Sequence, residues 1–136
     1  MSGSAGWQLQ QGVYGALSAN VPLGTLLGGA RIYDDVPHGA AYPFVTMGQT
    51  SSTDFGTGTE DGEEHIVTLH VWSSFGGRSE AQLIMGAIRD ALHNVSLALT
   101  GYTLINLRQQ FSDIRREADG ITIHGLVRYR AVTQPS

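Results

Sequence analysis

Between Glu63 and Ser73 the chain alternates without a break, with His65, Val67, Leu69 and Val71 on one side and Ile66, Thr68, His70 and Trp72 on the other. A period of two places these sets on opposite faces of a β-strand. Apolar groups on both faces need cover on both. The strand is therefore central in a sheet, or its outer face meets another subunit. Any fold for this chain has to be built around that strand.

The rest of the chain supplies its partners. Ser79 with Gln82 three residues on resembles a capping box opening the main helix. That helix runs to about His93, with Leu83, Ile84, Ala87, Ile88, Ala91 and Leu92 forming a wide apolar stripe. It would be roughly 22 Å long, enough to cross a small sheet. From Trp7 to Ser18, Leu9, Val13, Ala16 and Leu17 recur at helical spacing. Gly12 and Gly15 weaken this helix by up to ~1 kcal/mol each, so packing must hold it. A connector, VPLGTLLGG, follows with one short helical turn around Leu26.

Arg31 to Val36 reads as extended and stops at Pro37, and Tyr42 to Met47 reads as a strand with Pro43 near its start. Thr50 to Gly62 is polar and rich in Gly, Ser and Thr, which predicts a long mobile loop or hairpin tip. Tyr102 to Phe111 and Ile121 to Ala131 form the last two strands, joined at a two-residue turn, Asp119-Gly120. In the final strand Ile121, Ile123, Val127, Tyr129 and Ala131 point one way and Thr122, His124, Arg128 and Arg130 the other. Gly125 lies on the apolar side and marks a close approach or a bulge. The expected fold is α+β: a mostly antiparallel sheet of four to five strands, two helices packed on one face, and a long hairpin loop. The 136 residues suit a single domain, 1–136.

Composition narrows the function. Without cysteine there are no disulfides, thiolate metal sites or cysteine nucleophiles. The opening MSGSAGWQLQ has no basic region before an apolar run, so it does not read as a secretory signal. No apolar stretch approaches the ~20 residues a membrane span needs, so the expected compartment is the cytoplasm unless the protein leaves inside a particle. A net charge of −4 argues against an independent nucleic-acid binder. Only 15% of residues are charged, against a typical ~25%, which suits a surface partly covered by neighbours. The charges are also divided. Asp34, Asp35, Asp54, Glu60, Asp61, Glu63 and Glu64 occur with no basic residue among them, whereas arginines predominate from Arg78 onward and lysine is absent. Such a division lets an acidic surface on one copy face a basic surface on the next.

No catalytic, cofactor or metal site emerges. His65 and His70 are five apart on a strand and point to opposite faces, so they cannot share a metal without a bulge. His93 ends a helix, where a cation is favoured by the dipole. Glu60, Asp61, Glu63 and Glu64 lack the Asp-x-Asp-x-Asp-Gly period that wraps calcium. No Gly-x-Ser-x-Gly elbow, Walker loop or dinucleotide fingerprint occurs, and Gly24, Gly28 and Gly29 read as turns. Trp72 ends the central strand just before Ser-Ser-Phe-Gly-Gly, an amphipathic ring placed to anchor the core or an interface.

Three stretches in order, RIYDDVPHGAAYPFVTMG, HVWSSFGGRSEAQLIMGAIRDAL and DGITIHGLVRYRA, resemble the tail-completion or tail-terminator proteins of long-tailed phages and phage-derived gene transfer agents. The resemblance spans nearly the whole chain. It implies a structural, non-enzymatic virion protein that forms a hexameric ring at the head–tail junction. The ring caps the tail tube, stops its polymerisation and meets the head connector (stopper), while DNA passes through the channel without specific binding. Unlike charged surfaces suit the heterologous contacts of a closed ring. Six copies at −4 give a formal −24, which would let DNA slide. On this reading Asp54, Glu60, Asp61, Glu63 and Glu64 line the lumen or meet an adjacent ring. Arg108, Arg115, Arg116, Arg128, Arg130 and Trp72 are candidates for contacts between subunits. The alternatives are another connector ring, stopper or adaptor, and a small dimeric α+β ligand-binding domain or enzyme with a deep apolar pocket.

Overall fold

The computed structural model describes residues 4–54, 56, 61–74 and 78–136. In chain order the elements are α1 (Ala5–Ala19), α2 (Val21–Leu27), β1 (Ile32–Tyr33), β2 (Phe44–Asp54), β3 (Glu63–Ser73), α3 (Ser79–Leu92), β4 (Ala98–Leu99), β5 (Tyr102–Arg116) and β6 (Ile123–Pro135). The strands form one curled sheet in the order β1-β2-β3-β6-β5-β4. Every pairing is antiparallel except the short parallel one between β1 and β2.

The alternating strand is β3, and it is central, flanked by β2 and by β6. His65, Val67, Leu69, Val71 and Ser73 are buried against the helix layer. In β6, Ile123, Val127, Tyr129 and Ala131 join them. From above, α1 contributes Leu9, Val13 and Leu17, and α3 contributes Ala81, Ile84, Ile88 and Leu92, all at most 1% exposed. Truncating one of these aliphatic side chains to alanine costs about 2–5 kcal/mol.

The fold is α+β and mostly antiparallel, but it differs from the expectation in count. A third helix, α2, starts where Asn20 Oδ1 accepts from the N–H of Leu23 at 2.9 Å and ends at Gly28, whose φ of 78° is left-handed. This cap-to-cap turn lay within the supposed connector. Among the described residues there are six strands rather than four or five, because two-residue pieces, β1 and β4, line the edges. The segment expected to be a loop from Thr50 is strand as far as Asp54, held by pairing of Thr50 to Val67 and Asp54 to Glu63. Its polar, exposed side chains hid it.

Local chemistry corrects three further points. Ser79 is the first residue of α3 and not its cap; the cap position is Arg78 and makes no side-chain hydrogen bond. The β5–β6 turn is longer than two residues. Asp119 organises it, with Oδ1 accepting from the N–H groups of Ile121 and Thr122 and Oδ2 from the Thr122 hydroxyl. Ile121 lies in that turn, 62% exposed, and Thr122 is buried, so the predicted alternation begins only at Ile123. Gly125 is a close approach: a Cβ there would sit 2.7 Å from Met85 Sδ, so α3 rests directly on β6.

Candidate functional site

The sheet face away from the helices carries most of the side chains singled out in the sequence. Trp72 is not a core residue. It is half-buried on this face, its indole N–H donating to Thr46 Oγ1 at 3.1 Å. Its ring stacks on His124 at 4.0 Å with planes 8° apart, and Phe44 and Tyr42 extend the row across the sheet. Register creates the row, since Phe44 pairs with Trp72 and Trp72 with His124.

Two hydrogen bonds brace the stack. His124 Nδ1 lies 2.7 Å from Glu117 Oε1, and His124 Nε2 lies 2.7 Å from His70 Nδ1. A carboxylate only accepts, so His124 donates to it through Nδ1, which leaves Nε2 facing His70 Nδ1. Burial, and then His124, lowers the His70 pKa. The far nitrogen of His70 lies against Gly48, where an added Cβ would be 2.8 Å away. A relay closed by backbone at its end orients rings and offers no open base to a substrate.

Beside the aromatic row lies a basic one. Arg108 pairs in register with Arg130, and Arg128 with Phe111. Like charges directly opposed are unfavourable, and the neighbours answer this. Arg130 Nε is 2.6 Å from Glu64 Oε2, and the Arg128 guanidinium lies 5.3 Å above the Phe111 ring. Arg115 is 3.7 Å from Asp113. Arg116 is turned to the hairpin, donating to the Gly120 carbonyl.

The acidic residues divide. Asp54, Asp61 and Glu63 surround a depression of about 370 Å³ at one end of the sheet, together with Tyr102, Thr133 and Gln134. Glu64 is on the other face with Arg130. Glu60 lies outside the described residues. Among the described residues no group of three His, Asp or Glu side chains is placed to hold a metal ion.

His65 and His93 are held by structural hydrogen bonds. His65 is buried between Ser52 Oγ at 2.7 Å and Thr133 Oγ1 at 2.9 Å. Burial lowers its pKa against the opposing pull of Glu63. His93 is not the cation expected at a helix end. Its Nδ1 accepts the Gln109 N–H at 3.0 Å, and desolvation with Arg89 and Arg108 nearby lowers its pKa. The imidazole relay itself was missed in the sequence, because it depends on the register of β3 against β6.

Braced rings and paired charges thus order the sheet face that the helices leave open. The chain belongs to the tail completion protein gp17 family, whose sequence profile matches residues 11–134. It is 35% identical over 91 residues to the tail completion protein gp17 of Bacillus phage SPP1, a match covering 65% of this chain and 66% of the phage protein. A chain in the virion of a native gene transfer agent particle superposes with a TM-score of 0.88 at 27% identity, covering 97% of this chain and 99% of that one. The structure of bacteriophage SPP1 gp17 gives 0.65 at 26% identity, covering 93% and 89%.

Proposed function

We propose that this chain is the tail completion subunit of a phage or gene-transfer-agent particle. Copies of it form a hexameric ring at the head–tail junction, which caps the tail tube, halts its growth, meets the head connector and lets DNA through. The observation that carries this reading is the end-to-end likeness to a chain built into a gene transfer agent virion. Membership in the gp17 family agrees with it.

Within that ring, Asp54, Asp61 and Glu63 gather at one end of the sheet, which suits a contact with an adjacent ring. Glu64 serves its own subunit by neutralising Arg130. Arg108 and Arg115 stand exposed on β5, which suits a contact with a neighbouring subunit.

The test is deletion of the gene in a particle-producing strain, followed by electron microscopy and complementation. Headless tails or tails of uncontrolled length, restored by the wild-type gene, are expected. Intact particles of normal tail length without the protein would refute the proposal. Native mass spectrometry of the protein released from particles should give a sixfold assembly.

A further inference from the structure

Both long sides of the sheet end in an open strand beneath a helix. On one side β1 pairs with β2 only at Val45 and Thr46, and among the described residues no strand covers the outer edge over residues 47–54. On the other side β4 covers β5 only at Tyr102 and Thr103. The α3–β4 connection then takes the Leu107 carbonyl, through the Asn94 N–H, and His93 takes the Gln109 N–H. Residues 110–116 of β5 have no further strand beside them among the described residues. Exposed edges are templates for another strand.

Each edge has its own groove. Beside β2, the helix α1 overhangs a groove of about 380 Å³ lined by Trp7, Gln10, Gln11, Tyr14, Asp34 and Met47. Trp7 and Tyr14 are 48% and 44% exposed there, a large unspent apolar surface. Beside β5, the helix α3 overhangs a smaller groove that includes Met85, Gly86, Arg89 and Ser112. Leu83 of the same helix is 61% exposed. The first groove holds an acid, Asp34, and the second a base, Arg89; neither has an ion-pair partner among the described residues.

We propose that these edges are the two halves of one seam between copies of this chain. β2 of one subunit pairs antiparallel with β5 of the next, and α1 with Asp34 meets α3 with Arg89 above the junction. The occupant is a second copy because the halves complement each other in charge and direction. β2, β3, β6 and β5 alternate in direction. A neighbouring β2, related by rotation about an axis along the strands, therefore continues that alternation beside β5. Bulges at Met47/Thr50 and Gln109/Phe111 stand where the open stretches begin, and such irregularities pin register. Six copies would close about 24 strands at ~4.8 Å spacing, a wall roughly 37 Å across. Its lumen would clear a duplex on the order of 20 Å wide.

This inference rests on the ring reading, and its test separates the two. The chain has no cysteine, so D34C and R89C can be introduced together without background. Particles carrying that variant, treated with a short bismaleimide, should yield a denaturing-gel ladder from dimer to hexamer. Each single variant should yield monomer. Charge reversal, D34R or R89D, should each lower particle yield on the order of tenfold, and the double reversal should restore it. Hydrogen exchange on wild-type particles should protect residues 47–54 and 110–116 together, relative to free subunit. Sixfold masses with no ladder, no charge rescue and both edges exchanging freely would overturn the seam and leave the ring standing. Loss of the sixfold mass itself would remove both.

Discussion

Two glycines allow the packing to be tested by the same substitution with outcomes of different size. At Gly125 an added Cβ would lie 2.7 Å from Met85 Sδ and 3.4 Å from Val71 Cβ. Carbon–sulfur contact needs roughly 1 Å more, but the sulfur is near the end of a flexible side chain. Moving it off its rotamer costs about 0.5–1.5 kcal/mol, and Gly→Ala returns about 0.4–1 kcal/mol by restricting the unfolded chain. G125A should therefore destabilise by no more than ~1 kcal/mol. At Gly48 the Cβ would meet the His70 ring and the Thr68 carbonyl oxygen, each at 2.8 Å. That oxygen belongs to the backbone of the central strand, so relief requires moving β3 or β2. Overpacking of this kind costs about 1–3 kcal/mol, and displacing His70 adds about 1 kcal/mol for its bond to His124. G48A should destabilise by ~2–4 kcal/mol. Urea unfolding of purified protein, with midpoints compared at constant slope, measures both. The decisive arm is rescue. G125A in an M85A background should become neutral or favourable, filling the space that methionine left, whereas H70A should leave most of the G48A cost because the carbonyl remains. A G48A protein as stable as wild type, or one rescued fully by H70A, would refute the reasoning.

Acid should destabilise the fold through its histidines. The folded-state pKa values of His65, His70 and His93 lie below the ordinary 6.5, so the unfolded chain binds protons first. The stability these groups confer is present above about pH 6.5 and is lost as pH falls through their folded values. H65Q should flatten that decline, read as urea midpoints between about pH 7.5 and 5. Asp119 has the complementary form: hydrogen bonds from Thr122 and Ile121 hold its pKa below the usual carboxylate value. Its contribution is present at neutral pH and fades on strong acidification, and D119A should abolish that part of the acid dependence. Asn106 has a buried Oδ1 without a hydrogen-bond partner among the described residues. Replacing the amide by an apolar group of similar shape, N106L, should raise stability by about 1 kcal/mol, visible as a higher urea midpoint.

The elements legible from the sequence were those whose burial pattern is intrinsic. β3 alternates from end to end and α3 carries a full apolar stripe, and both were placed to within about a residue. The misread segments owe their structure to partners. Residues 50–54 are Thr, Ser and Asp, which signal a loop, yet they form strand because β3 beside them offers hydrogen bonds. The helix α2 has only seven residues and includes a proline and a glycine, so periodicity could not mark it, although Asn20 before Pro22 and Gly28 after Leu27 are its proper caps. Trp72 and His124 are 52 positions apart, and only register brings their rings together. Alternation along β3 already separates Glu63 from Glu64, but only register shows that Glu64 meets Arg130.

The place of β6 also bears on when the protein can form. It follows β5 in the chain, yet it lies between β3 and β5. Until Ile123 and its successors leave the ribosome, the chain holds two unjoined fragments, β1-β2-β3 and β4-β5. Pairing Glu63 with Thr133 closes a span of 70 residues. Formation of the sheet is thus delayed and concerted. A chain still short of β6 therefore lacks a continuous sheet between its two outer strands.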